Sequence, residues 1–157
     1  GGIWLDSTIY VSRDIPDNLF KRNFFSLSTK EDFHYVSLCK WCCFAIGGNS
    51  PVFDFVRTLL LTYWKENDVL IDYFVFDYGL RVFYEKSSKF RFLVDTETLY
   101  ISDLYRLQNC INDIYDNNKM SEITENALFS KLSWKGKKEK IKDGKKTFYG
   151  HLIENYE

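Results

Sequence analysis

This sequence of 157 residues has no excess of basic residues, no long apolar run and only two prolines. The formal net charge is −1, which excludes the overall basic field typical of nucleic-acid-binding proteins. No apolar run approaches the roughly 20 residues that a membrane-spanning helix needs. The opening residues Gly1–Trp4 contain no Met and no charged stretch, so they are not typical of a signal peptide. We expect a globular protein without a nucleic-acid partner.

Cysteine is also sparse, and three of the four cysteines lie within five positions, which is a poor layout for a disulfide framework. Cys39 and Cys42 have a spacing that occurs in zinc and redox sites. A zinc site would have to recruit His34 and Cys110, because no second close pair exists. Buried thiols in a reducing compartment are the simpler interpretation.

Aromatic residues, in contrast, are abundant at 18% of the chain. Aromatic faces suit sugar rings, but a core built on Phe and Tyr would give the same composition. Both interpretations stay open at this point.

The pattern predicts a single α/β domain spanning residues 1–157. Short apolar segments predict strands at 3–5, 9–11, 24–27 and 41–46. Ser50 and Pro51 are typical of a helix start, and the apolar periodicity continues to residue 66. Residues 70–86 are apolar nearly all round and predict a buried helix, followed by a weaker one around 104–115 and a polar loop at 116–121. The tail 131–152 predicts a hairpin that turns at Asp143-Gly144.

The opening segment places Asp6 at the end of a buried strand, where α/β sheets form their ligand crevice. Gly1 and Gly2 allow close approach of another backbone or a ligand. A carboxylate at Asp6 and a hydroxyl at Thr8 can share one hard cation, which prefers oxygen ligands and substrate phosphates. An Asp that satisfies the amides of a turn is the alternative.

The segment GGIWLDSTIY at 1–10 resembles the DXD region of glycosyltransferase family 32 and, more closely, that of the capsular polysaccharide synthesis protein family. Other segments resemble that family in the same order. They are WCCFAI with GNSP at 41–51, LTYWK at 61–65, LIDYFVFDY at 70–78, KLSWK at 131–135, DGK at 143–145 and TFYG at 147–150.

The resemblance implies a GT-A-like, Rossmann-related glycosyltransferase fold of which the amino-terminal part precedes Gly1. It implies a nucleotide-sugar donor, a UDP-sugar in particular, and a divalent metal, Mn²⁺ or Mg²⁺. It assigns donor binding to Gly1, Gly2, Asp6 and Thr8, and metal binding to Asp6 and Thr8. Thr8 stands where related enzymes have a second Asp, which puts metal affinity in question.

Two of the carboxylates in the helical region 50–116, which we assign to the acceptor side, are candidates for catalysis. Asp72 lies near a predicted helix start, where a carboxylate could bind acceptor hydroxyls or accept a proton. Asp77 could do the same, or pair with Arg81 four residues on. Asp72 and Asp77 are therefore the candidate catalytic residues.

Eight lysines in the tail form a basic cluster: Lys131, Lys135, Lys137, Lys138, Lys140, Lys142, Lys145 and Lys146. They could be a solvated loop or contact anionic lipid. Lys131 or Lys135 could also neutralise the donor diphosphate. In some GT-A enzymes a carboxy-terminal His completes the metal shell, which makes His151 a third candidate metal ligand.

We therefore expect a retaining hexosyltransferase for capsular or exopolysaccharide synthesis, which acts on a glycan or lipid-linked glycan. Its expected location is the cytoplasm, at the inner face of the membrane. A non-catalytic module that binds nucleotide sugar or glycan is the second hypothesis, and a zinc or redox module is the third.

Overall fold

The computed structural model describes residues 2–22, 24–28, 43–46 and 50–154. Over these residues the chain is mixed α/β, as predicted, with seven helices and eight short strands that pair two by two. The elements in chain order are β1 (Gly2–Leu5), β2 (Ile9–Val11), α1 (Asp17–Phe20), β3 (Ser26–Ser28), β4 (Cys43–Ile46), α2 (Pro51–Glu66), α3 (Val75–Lys86), α4 (Ser88–Glu97), β5 (Thr98–Tyr100), α5 (Arg106–Asn109), α6 (Asn117–Asn126), β6 (Phe129–Lys131), β7 (Ile141–Lys142), β8 (Lys145–Lys146) and α7 (Phe148–Glu154).

The chain divides into two compact units, 1–6 with 16–102 and 7–15 with 103–157. In the first unit β1 pairs antiparallel with β4, and β3 pairs parallel with β5. Its core is aromatic: the ring of Phe83 stacks on Phe55 at 4.1 Å and on Phe90 at 4.5 Å between centroids. The predicted strand at 3–5 is confirmed, as is the described part, 43–46, of the strand predicted at 41–46.

The helix predicted from Pro51 is confirmed as α2, but the helix predicted at 70–86 begins only at Val75. The carboxylate of Asp72 accepts a hydrogen bond from the Phe74 amide at 2.7 Å, which turns the chain ahead of α3. The Tyr63 hydroxyl donates to the Val69 carbonyl and accepts from the Ile71 amide, both at 2.7 Å. The prediction of burial over 70–86 is wrong for residues 70–74, where Ile71 is 78% exposed, whereas Leu80 of α3 is fully buried.

In the second unit β2 pairs antiparallel with β6, and Ile9, Tyr10 and Val11 lie opposite Lys131, Ser130 and Phe129. The strand predicted at 9–11 is confirmed at the same residues. The core of this unit is a cluster of buried residues from α5, the turn after it, α6 and α7: Leu107, Cys110, Ile111, Met120, Ile123, Phe148 and Leu152.

Two predictions for residues 104–126 need correction. The helix predicted around 104–115 is limited to the four residues of α5, which turns follow. The polar loop predicted at 116–121 is the first half of α6. The Asp116 carboxylate accepts from the Lys119 amide at 2.8 Å, as an N-cap does, while Met120 and Ile123 face the core.

The hairpin predicted over 131–152 is also different. Its turn is confirmed, because Asp143 and Gly144 take φ values of 51° and 71° between β7 and β8. Its predicted arms are wrong, because 132–134 follows β6 and 148–154 is the helix α7. The buried Thr147 hydroxyl accepts from the Gly150 amide at 3.0 Å, so this β-branched residue starts a helix instead of a strand.

Gly150 of α7 packs closely against the backbone of Lys140. A Cβ there would lie 2.2 Å from the Lys140 carbonyl oxygen, which is backbone and cannot rotate away. A Cβ on Gly79 of α3 would instead meet the end of the Leu59 side chain at 2.0 Å.

We predict that Gly150→Ala lowers the free energy of unfolding by about 1–3 kcal/mol, because the added methyl group overlaps backbone that must shift to make room. Chemical denaturation of the wild-type protein and the variant measures the loss. Gly79→Ala is the matched control and should be milder, since Leu59 can change rotamer; equal losses in the two variants would contradict the prediction.

Candidate functional site

The residues assigned to the donor lie where strand β1 gives way to β2. β1 ends at Leu5, the half-buried Asp6 follows, and Ser7 and Thr8 turn the chain into β2. Gly2 has φ 143°, a conformation that residues with a Cβ rarely adopt, and no atom of the described residues lies within 4 Å of the point where a Cβ on Gly2 would stand. Gly1 lies outside the described residues. The backbone conformation of Gly2 therefore favours glycine there, and the close approach of a ligand to it stays a prediction.

A charged contact lies at the start of β2. Lys131, the last residue of β6, donates a hydrogen bond from its ammonium group to the Thr8 hydroxyl. The register of the two strands brings these residues together, because Lys131 lies opposite Ile9 and the Leu132 amide donates to the Thr8 carbonyl at 2.8 Å. Both side chains are half-buried. The structure therefore brings two of the predicted donor-binding residues, Thr8 and Lys131, into contact.

The same contact tests Thr8 as a metal ligand. A divalent cation on the Thr8 oxygen would stand next to the Lys131 ammonium, and like charges at that distance repel strongly. Thr8 does not fit as a direct ligand while Lys131 holds it. His151 of α7 stacks on Tyr115, with ring centroids 3.8 Å apart. Over the described ranges no three His, Cys, Asp or Glu side chains cluster as a metal site requires.

The basic segment 131–146 is held by two amide side chains that the sequence reading missed. Gln108 accepts a hydrogen bond from the Ser133 amide at 2.8 Å. Asn112 donates to the Lys137 carbonyl at 2.9 Å and accepts from the Glu139 amide at 3.0 Å. No sequence signal marks these two residues, because they act on a segment some 25 positions away.

Within that segment the lysines have different partners. Lys137 forms an ion pair with Glu139 at 2.9 Å, which raises the pKa of Lys137 and lowers the pKa of Glu139. The ammonium of Lys135 lies 5.7 Å from the centre of the Trp134 ring. The ammonium of Lys138 donates to the carbonyls of Lys135 and Gly136 at 2.7 and 3.3 Å. The lysines of this segment therefore differ in their contacts and are held in defined positions.

A cavity of about 460 Å³ opens within the second unit. Its wall is mostly apolar and includes Val11, Ile111, Leu132, Leu152 and Ile153. Thr8 contributes to it, so the lysine–threonine contact and the cavity share a residue. Lys138 and Trp134 also line it, and the Trp134 side chain is 76% exposed.

The candidate catalytic carboxylates lie in the first unit. Asp72 is exposed and bonded to the Phe74 amide, the arrangement of a turn. Asp77 is half-buried in the first turn of α3. Arg81 forms its ion pair with Glu85, at 2.7 Å, one turn further along the same helix.

Cys110 is a buried free thiol whose sulfur donates to the Leu107 carbonyl at 3.5 Å. Burial raises its pKa above the ordinary value for cysteine. The side chains of Cys39, Cys42, Cys43 and His34, on which the zinc and redox hypothesis depends, lie outside the described residues. Cys110 itself has the surroundings of a packing residue, not of a reactive thiol.

We predict slow alkylation of Cys110 in the native protein at pH 8, because burial keeps it protonated and shielded. Mass spectrometry of the peptide that carries Cys110, after timed exposure to iodoacetamide, measures the rate. The same peptide labelled in denaturant is the control. Native labelling as fast as denatured labelling would show an accessible thiolate.

The described fold and site define a mixed α/β protein with a lysine–threonine contact beside an apolar cavity. The chain belongs to the capsular polysaccharide synthesis protein family, because the sequence model of that family matches residues 1–152. The resemblance inferred from the sequence motifs is thereby confirmed. No curated protein and no solved structure matches the chain. Among the helices of the described residues, none has the length and apolar character needed to cross a membrane.

Proposed function

We propose that this protein is a glycosyltransferase with a GT-A-like fold that transfers a sugar from a nucleotide sugar, a UDP-sugar, to a glycan acceptor during capsule synthesis. Membership of the capsular polysaccharide synthesis family over nearly the whole chain supports the biological role. The observation that carries the activity is the contact between Lys131 and Thr8, since it fixes a cation beside the segment that the resemblance assigns to the donor.

The chemistry of sugar transfer requires such a cation. The transition state resembles an oxocarbenium ion, and the bond to the diphosphate breaks as positive charge grows on the sugar. The leaving diphosphate gains negative charge at the same time. A positioned ammonium stabilises that charge without having to reorganise during the reaction. The Thr8 hydroxyl sets the position of the Lys131 ammonium in this proposal, and retention of the anomeric configuration stays a prediction.

The metal implied by the resemblance stays a prediction for Asp6 and His151. Thr8 is bonded to Lys131, so no step of the proposal passes through a metal on that oxygen. Asp6, half-buried directly after β1, remains the predicted donor ligand, and Lys135 remains a predicted second cation for the diphosphate. Asp72 and Asp77 remain predicted on the acceptor side.

A non-catalytic module that binds nucleotide sugar or glycan is the second candidate. One observation favours it: the Asp72 carboxylate is engaged by the Phe74 amide and acts as a turn residue. A binding module needs no general base, so this arrangement would then be the whole role of Asp72.

We predict that Lys131→Met lowers donor turnover by about 10²–10³-fold, the loss typical when a charge-stabilising group is removed. The assay measures hydrolysis and transfer from UDP-, GDP- and CMP-sugars, with Mn²⁺, with Mg²⁺ and with chelator. Lys89→Met, an exposed lysine of α4, removes the same charge elsewhere and should leave turnover unchanged.

Asp6→Asn separates the two candidate functions in the same assay. Loss of turnover in a variant that keeps its fold supports the transferase, whereas glycan binding away from Asp6 should survive the substitution. No turnover of any donor by the folded wild-type protein, together with measurable binding of nucleotide sugar or glycan, would replace it with the binding module. Turnover that persists in both Lys131→Met and Asp6→Asn would contradict the assigned site.

A further inference from the structure

The apolar cavity of the second unit differs from the site that a sugar or nucleotide requires. Such ligands need several convergent polar groups, whereas the surface that this wall exposes to the cavity is mostly apolar, formed by aliphatic and aromatic side chains with few polar atoms. Three of its polar groups already have protein partners. Gln108 accepts from the Ser133 amide, Thr8 accepts from Lys131, and Lys138 donates to two carbonyls. The interior therefore suits a hydrocarbon.

The size of the cavity suits a bound chain. At about 460 Å³ it lies within the range of roughly 300–1,000 Å³ typical of small-molecule sites. Leu132 and Val11 from the strand side and Leu152 and Ile153 from α7 contribute to its wall. Displacing water from such a wall gains affinity in proportion to the apolar area that the ligand buries.

The lining of the cavity includes one positive charge, the ammonium group of Lys138. The Lys138 ammonium donates to the neutral carbonyls of Lys135 and Gly136, which direct it but leave its charge uncancelled. Those two bonds use two of its three N–H donors. Across the part of the chain that the structure describes, the acidic neighbour Glu139 pairs with Lys137 instead. An anion bound beside Lys138 would complement the charge of its ammonium group.

We propose that this cavity binds the hydrocarbon chain of a lipid phosphate, with the phosphate at Lys138. The inference deepens the proposed function, on which it rests for the role of the ligand: the lipid phosphate would be the anchor on which the glycan acceptor is carried. The exposed Trp134 of the lining suits the boundary between chain and headgroup, where amphipathic rings are favoured.

The test is calorimetric titration of the purified protein with octyl, decyl and dodecyl phosphate below their micelle concentrations. Affinity should rise by up to about fourfold for each added methylene until the cavity is filled. Inorganic phosphate and dodecyl maltoside, which lack the chain and the charge respectively, should bind at least tenfold more weakly than dodecyl phosphate. Affinity that does not depend on chain length would overturn the proposal.

Variants then assign the binding to this cavity. Ile153→Phe and Val11→Phe narrow it and should each weaken dodecyl phosphate tenfold or more, with circular dichroism confirming the fold. Lys138→Gln, at a surface position, should weaken dodecyl phosphate but not dodecyl maltoside. Lys142→Gln, an exposed lysine of β7 in the same basic segment, is the matched control and should change neither.

Two results would contradict the assignment. Equal weakening by Lys138→Gln and Lys142→Gln would indicate general charge attraction and not a site. Binding of anionic vesicles that resists both cavity-filling variants, with no binding of monomeric alkyl phosphates, would indicate adsorption to a lipid surface. Because the titration needs no sugar donor, it can fail while transferase activity stands, and it can succeed if that activity is never found.

Discussion

The pairing of β2 with β6 is the interaction on which the second unit depends. It joins Ile9–Val11 to Phe129–Lys131, more than a hundred residues later in the chain. Closing so long a loop costs conformational entropy, which the buried residues of the core cluster and the strand hydrogen bonds must offset. The same register puts Lys131 against Thr8 and places Val11 and Leu132 in the wall of the cavity. One strand pair thus sets both features to which we assign function.

The second constraint is the fixing of the basic segment by neutral amides. A run of lysines repels itself and would stay extended in solution if nothing held it. Gln108 and Asn112 bind its backbone, not its charges, at Ser133, Lys137 and Glu139. Backbone anchoring defines where the segment lies without using the charges of its lysines. The segment is therefore held in a defined conformation by neutral side chains.

Local signals account for the parts of the fold that the sequence predicted well. Within a helix Pro51 fits only the first turn, and the apolar period after it is long, so α2 could be placed from its own residues. Asp143-Gly144 demands a turn for the same kind of reason. The α6 helix was missed because its residues are mostly polar, and its start depends on Asp116, which is equally common in loops and as a cap.

Errors of the opposite kind arose where β-branched and aromatic residues suggested strands. Thr147 and Phe148 have high strand propensity, but Thr147 caps α7 and Phe148 fills the core beneath Tyr115. Tertiary packing decides such positions, and a single sequence does not contain it. The Lys131–Thr8 contact is out of reach for the same reason. The resemblance assigned Thr8 to the donor and the basic cluster suggested Lys131, but only a register between distant strands brings them together.

The early position of β2 has a consequence for how this protein is made. On the ribosome, Ile9, Tyr10 and Val11 emerge long before the partner strand Phe129–Lys131. At about 5–20 residues per second, an exposed apolar strand waits on the order of ten seconds for its partner. During that interval it is a pairing edge open to other nascent chains. Efficient production of the protein therefore depends on whatever shields Ile9, Tyr10 and Val11 until the residues up to Lys131 have been translated.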